Sequence, residues 1–264
     1  MQDLTMQDLK VTLVQANQIW ENKEANFKNY ERLLLNTEPT DLIVLPEMFN
    51  TGFSLNAKNL AEPFETSDSI KWLKELAKVQ DAAIYTSLII FADHCFFNRG
   101  VFVFPTGDLE FYDKRKTFGL AGENKEFTSG KSPKIVLYKG WKINLQICYD
   151  LRFPEICLNS IENNETIYDL MIYVANWPEK RISHWNSLLP ARAIENQAYV
   201  IGLNRVGTDN SKLAYNGQSQ IVDALGETKN LGNLEAAFSL NLRSNALAET
   251  RAMLPFLKDR NVKF

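Results

Sequence analysis

The sequence predicts an α/β fold built in layers around a mixed sheet. Apolar runs such as Leu42-Ile-Val-Leu45 and Leu170-Met-Ile-Tyr-Val-Ala175 are continuous rather than alternating, as in strands covered on both faces. Segments with helical spacing lie between them, and strands alternating with helices argue for layers. Turn residues at Pro105-Thr106-Gly107 and Leu225-Gly226-Glu227 add hairpins, so parallel and antiparallel pairs share the sheet.

The first strand candidate covers residues 11–16. A helix over 23–35 follows, with Phe27, Tyr30, Leu33 and Leu34 on one face. After a strand at 42–45, Ser67-Asp68 offers an N-cap to a second helix that turns Ile70, Leu73, Leu76 and Ala77 inward. Strands at 83–90, 100–104, 135–137 and 142–147 come next. Pro154 at an early helical position predicts a third helix over 154–161. A strand at 170–175 precedes a fourth helix over 183–196, with Trp185, Leu188, Leu189 and Ala193 inward. Strands at 199–204, 219–222 and 236–241 complete the reading.

The chain has 264 residues, and no linker-like stretch or internal repeat divides it, so one domain over 1–264 is expected. Hydrophobic residues make up 45% and charged residues 23%, which excludes a disordered or fibrous chain. The net charge of −3 carries no basic surplus, so no nucleic-acid partner is expected. Three cysteines are too few and odd in number for a disulfide framework, and suit a reducing compartment. The N-terminus lacks a secretory pattern, and no apolar run approaches the roughly 20 residues that span a bilayer. A cytoplasmic protein with no membrane partner is expected.

Few residues offer chemistry. The two histidines, His94 and His184, read best as structural, which leaves a cysteine or serine nucleophile without its usual base. No paired metal-ligand spacing is present, and no metal or cofactor is expected. Gly130-Lys131-Ser132 resembles the end of a phosphate loop, but Lys125 stands where the first glycine belongs. No G-x-S-x-G elbow occurs.

Three segments remain. In Leu42-Ile-Val-Leu-Pro-Glu47-Met-Phe a buried strand runs into an acid, at the strand end where open α/β sheets place ligands. On this segment alone a solvent-facing carboxylate is the ordinary reading. Tyr112-Asp-Lys114-Arg-Lys-Thr-Phe reads alone as a solvated charged face. In Lys142-Ile-Asn-Leu-Gln-Ile-Cys148-Tyr-Asp-Leu-Arg-Phe-Pro-Glu155 a cysteine ends an apolar strand before a sharp turn. Most such thiols are inert core groups, but a turn exposes this one beside backbone N–H groups that favour a thiolate or hold an oxyanion.

Together, Glu47 in LPEMF, Lys114 in YDKRKTF and Cys148 in ICYDLRFPE resemble the Glu-Lys-Cys triad of the nitrilase superfamily of carbon–nitrogen hydrolases. Separations of 67 and 34 residues suit the pattern. The resemblance extends through YVANWP (173–178), His184-Trp185, ARAIENQAYV (191–200) and NRVG (204–207). The combination is most similar to the ω-amidase branch, which acts on 2-oxo acid amides such as 2-oxoglutaramate. Gly122-Glu123-Asn124, with Phe127 and Gly130 downstream, matches the segment that carries a second glutamate, which implies this role for Glu123 before Glu126.

The resemblance implies a four-layer α-β-β-α sandwich with two mixed sheets packed face to face, a small-molecule amide substrate, and a homodimer or higher homo-oligomer. It implies Glu47 as general base, Cys148 as nucleophile, Lys114 and a backbone N–H near Tyr149 as oxyanion donors, and Glu123 as a helper of the attacking water. Trp177 could wall the pocket, and Arg181 or Lys116 could take a substrate carboxylate. Asp150, Arg152 and Glu155 read as a local ion-pair network, and Cys95 and Cys157 as packed thiols. The triad is shared, so nitrile, N-carbamoyl and aliphatic amide hydrolysis stay open, with a catalytically silent binding protein as the reading from another class.

Overall fold

A computed structural model describes residues 6–260. The chain begins with β1 (Leu9–Gln15), α1 (Lys23–Leu34) and β2 (Leu42–Val44), then α2 (Ala57–Leu60), β3 (Glu62–Pro63), α3 (Asp68–Gln80) and the β-meander β4 (Ala83–Ala92), β5 (Cys95–Val103), β6 (Leu109–Asp113). It continues through α4 (Glu123–Glu126), β7 (Ile135–Tyr138) and β8 (Trp141–Ile147), then the small hairpin β9 (Ile161–Glu162) and β10 (Glu165–Thr166). Next come β11 (Leu170–Ala175), α5 (Ile182–Asn196), β12 (Tyr199–Asn204), the hairpin β13 (Val206–Thr208) and β14 (Ala214–Asn216), β15 (Gln220–Val222), β16 (Thr228–Asn230), β17 (Ala236–Leu242) and α6 (Ser244–Met253).

Two large sheets form beside the two small hairpins, in the orders β17-β1-β2-β4-β5-β6, with β3 also paired parallel to β4, and β16-β15-β12-β11-β8-β7. Both are mixed. In the first, β1, β2 and β4 are parallel and the outer pairs antiparallel. In the second, β8, β11 and β12 are parallel with antiparallel flanks.

The continuous apolar runs find their reason in three cores. Leu42 and Val44 of β2 face the second sheet, where they join Ile143, Leu145, Ile172 and Val174. Ile43 points the other way, into a core with Tyr30 and Leu34 of α1 and Leu73 and Ala77 of α3. Tyr173 and Ala175 of β11 meet Trp185, Leu189 and Ala193 of α5. Strands with an apolar neighbour on either face need no polar alternation. The layers are helix, sheet, sheet, helix, as expected.

Local chemistry sets the outer helices. The Asn22 side chain accepts the Ala25 N–H at the start of α1, and Ser67 accepts the Ile70 N–H at the start of α3. The helix expected over 154–161 does not form. A 3-10 turn spans Cys148–Arg152 and another spans Pro154–Ile156. Proline disfavours the helical region for its predecessor, and Phe153 is extended (φ −118°, ψ 90°), which separates the two turns. Asn159 is then anchored to Asn196 and Tyr168, and the chain leaves as β9.

Candidate active site

Glu47 follows β2 at the carboxyl end of the parallel strands. Pro46 ends the strand, and its carbonyl accepts the Thr86 hydroxyl (2.7 Å). Met48 then turns left-handed (φ 46°), with its N–H given to the Ser87 hydroxyl (3.0 Å). These ties to β4 fix a carboxylate that is 0% exposed.

Lys114 leaves β6 and donates its N–H to the Asn98 carbonyl (3.0 Å). The segment after α4 passes close beside it, where Gly130 donates to the Lys114 carbonyl (2.9 Å). A Cβ at Gly130 would stand 2.1 Å from the Asp113 carbonyl oxygen, so only glycine permits this crossing. Left-handed Gly122 (φ 86°) starts α4 and turns Glu123 inward, while Glu126 stays exposed.

The three charges meet in the interior. Lys114 Nζ lies 2.9 Å from Glu47 Oε1 and 3.0 and 2.9 Å from the two Glu123 oxygens. Asn98 Nδ2 bridges the same acids, at 2.9 Å to Glu47 Oε1 and 3.1 Å to Glu123 Oε1. The Asn176 N–H donates to Glu47 Oε2 (2.9 Å), and its side chain donates to the Glu47 carbonyl (2.6 Å). Burial works against the Lys114 ammonium, but Glu123 and Glu47 outweigh it and hold its pKa well above the usual lysine value.

Cys148 follows directly on β8 and is itself left-handed (φ 45°). A non-glycine residue in that region costs on the order of 1–3 kcal/mol and persists only where the surroundings over-determine it. The side chain keeps partial exposure toward a cavity of about 80 Å³ and is otherwise enclosed by protein. Burial and then the Glu47 charge push the thiol well above its ordinary pKa, with Lys114 opposing. That direction favours the neutral thiol, and a base beside it would ease its attack.

Lys114, Cys148, Tyr149 and Trp177 line this cavity with Arg152 and Arg181. The Arg152 guanidinium stacks on Trp177 at 4.6 Å, and Arg181 stands over Phe118 at 5.3 Å. Tyr149 packs edge-on to Phe153 and at a tilt to Phe118. Burial, then Arg181, lowers the pKa of Arg152, as expected for two cations that share a cavity with no carboxylate between them.

The model of the carbon–nitrogen hydrolase family matches residues 10–235. The chain belongs to this family. The hydrolase is 46% identical over 222 residues to the omega-amidase YafV of Yersinia enterocolitica, with 84% of each chain covered. It is 39% identical to the omega-amidase YafV of Escherichia coli K12, over 96% of this chain and 97% of that one. Its fold matches that of a CN-hydrolase superfamily protein of Xanthomonas campestris with a TM-score of 0.95 and 37% identity, over 98% and 99% of the two chains. Saccharomyces cerevisiae Nit3, of the nitrilase superfamily, superposes with a TM-score of 0.85 at 25% identity, over 98% and 99%. The protein is thus a hydrolase of carbon–nitrogen bonds.

Of the residues singled out in the sequence of this hydrolase, Glu47, Lys114, Glu123, Cys148, Tyr149, Trp177 and Arg181 come together at one end of the two sheets. Lys116 does not join them. Its ammonium pairs with Glu155 (2.9 Å) above the Phe153 ring. The expected ion-pair network of Asp150, Arg152 and Glu155 is absent. Asp150 is buried among neutral donors, Arg152 faces the cavity, and Glu155 pairs outward. His184 is exposed and within 3.1 Å of Arg152, and His94 sits in the left-handed turn between β4 and β5. Cys157 is buried, which pushes its thiol up to about 11. Among the described residues, no helix is long and apolar enough to cross a membrane. Asn98 went unrecognised, although a polar residue amid Phe96-Phe97-Asn98-Arg99-Gly100-Val101 was a visible irregularity.

Proposed function

We propose that the protein hydrolyses the terminal carboxamide of a small 2-oxo acid, such as 2-oxoglutaramate, to the acid and ammonia through a Cys148 thioester. The observation that carries this reading is the buried Glu47–Lys114–Glu123 cluster beside Cys148, in a cavity that also presents two guanidinium groups. Relatives named 2-oxoglutaramate amidase, at 32% identity in Paenarthrobacter nicotinovorans and 31% in Bacillus subtilis, support the substrate class.

Glu47 takes the thiol proton as sulfur attacks the amide carbon. The Lys114 ammonium and a backbone N–H near Tyr149 stabilise the oxyanion, a contribution of roughly 3 kcal/mol per donor. Glu47 returns the proton to nitrogen, the C–N bond breaks, and ammonia leaves a thioester. Water then gives a proton to Glu47 and adds to the thioester with Glu123 helping to orient it. Collapse releases the acid, and the thiolate regains its proton. The substrate carboxylate pairs with Arg152 and Arg181, whose planar forks suit it. The Trp177 and Phe118 faces hold the short carbon chain.

Ammonia release from a panel of amides, nitriles and N-carbamoyl compounds tests this. 2-Oxoglutaramate is expected to lead, and acid-quenched protein is expected to carry its acyl mass on Cys148. Faster turnover of nitriles or N-carbamoyl amino acids, or an adduct on Cys95, refutes the assignment.

A further inference from the structure

Asp150 lies two residues after Cys148 and has no part in the chemistry above. Its carboxylate is 0% exposed, and hydrogen-bond donors rather than an ion pair surround it. Oδ2 accepts the Ile147 N–H (3.0 Å) and the Tyr112 hydroxyl (2.8 Å), and Oδ1 accepts the Lys116 N–H (2.9 Å). Ile147 is the last residue of β8, directly before the nucleophile. Tyr112 and Lys116 stand two residues to either side of Lys114.

One carboxylate therefore grips the segment that carries the thiol and the segment that carries the ammonium, and these segments belong to opposite sheets. The grip falls where it is needed. Cys148 is left-handed, and the captured Ile147 N–H fixes the chain as it enters that conformation. The Lys116 and Tyr112 bonds fix both sides of Lys114. A buried anion is costly without full hydrogen bonding, and an apolar residue would fill the space at lower cost. What the carboxylate supplies and an apolar group lacks is directed acceptance from three donors.

We propose that Asp150 is a positioning residue that sets the Cys148 sulfur against Lys114 by clamping the two sheets together at the site. It acts through its neighbours and does not line the cavity. An asparagine there has one oxygen in place of two, so at least one of the three donors faces an NH2 group instead of an acceptor.

The inference rests on Cys148 being the nucleophile, so the test measures the thiol directly. Asp150→Asn and Tyr112→Phe are compared with the wild type by site-resolved iodoacetamide labelling, steady-state kinetics and thermal unfolding. In Asp150→Asn, Cys148 labelling and kcat are expected to fall together by roughly 10–100-fold, the scale of a small misplacement at a reacting centre. KM is expected to stay within about threefold, because Asp150 makes no contact with the cavity. Tyr112→Phe keeps the carboxylate, removes one donor and is expected to show a smaller fall of the same kind. It also decides the matter if Asp150→Asn does not fold. Wild-type labelling and kcat in the variants, or a change confined to KM or to the melting temperature, overturns the inference alone. A wild-type Cys148 no more reactive than Cys95 overturns it together with the nucleophile assignment.

Discussion

The two sheets share one pattern of strand orientations, yet bring unlike chemistry to the cavity. Read from β17 to β6 and from β7 to β16, each runs antiparallel, parallel, parallel, antiparallel, antiparallel. The ends of β2 and β11 correspond, and there Glu47 meets Asn176 in two hydrogen bonds. The first sheet delivers Glu47 and Lys114, whose charges are paired within the protein. The second delivers Cys148 on a strained turn and arginines whose charges face an open cavity. One half is complete at rest. The other half is held ready for a partner that arrives from solution.

That contrast breaks first at the thiol. Cys148→Ala is expected to abolish ammonia release while leaving the unfolding midpoint near that of the wild type, since the change relieves no charge and opens little space. Residual turnover above that of buffer would remove the covalent route.

Lys114→Met strikes the complete half. It leaves two buried acids without their cation and is expected to cost about 3–5 kcal/mol of stability in denaturant titrations at neutral pH. The raised Lys114 pKa fixes the sign: its contribution is whole below the ordinary lysine value and fades only as pH climbs above it. A variant as stable as the wild type at pH 7 would mean that the cluster is not bound together as described.

Arg152→Met tests the open half. KM for an acidic amide is expected to rise roughly 10-fold, the scale of one charge-assisted hydrogen bond, with less effect on a neutral amide and little on stability. Equal losses for both substrates would sink the pairing.

The smallest expected effect is a slope. Burial raises Asp150 to about 6, against the Ile147, Tyr112 and Lys116 hydrogen bonds and the Lys114 charge. Tyr85 also stands near it, and Arg115 donates to the Tyr112 hydroxyl that Asp150 accepts. The folded state therefore binds this proton more tightly than the unfolded state, and its contribution to stability falls as pH rises from about 4 to 6. Relative to Asp150→Asn, the wild type should lose no more than about 1.4 kcal/mol per pH unit across that window. Parallel stability curves for the two proteins would contradict the shift.

Leu42-Ile-Val-Leu45 announced a strand with two apolar faces, and Cys148 at the end of another announced a turn. Those features are local, and local chemistry writes them plainly. The meeting of Glu47, Lys114 and Glu123 is not local, and the motif resemblance drew these residues together where spacing alone left Glu47 and Lys114 as surface charges. Asp150 and Arg152 were misread as an ion pair because only the fold reveals that one is enclosed and the other faces a cavity. The turn at Phe153 was hidden because a proline that can start a helix can equally hold its predecessor extended.

Two acids share one ammonium in the buried cluster, so its formal charge is −1. A carboxamide is neutral and meets no repulsion there. On the proposed reaction, hydrolysis replaces it with an anion in the same spot, beside like charge and in a medium that screens poorly. On that reading the like charge weakens the hold on the product as soon as it exists, and the cluster that starts each cycle would also help to empty the site for the next.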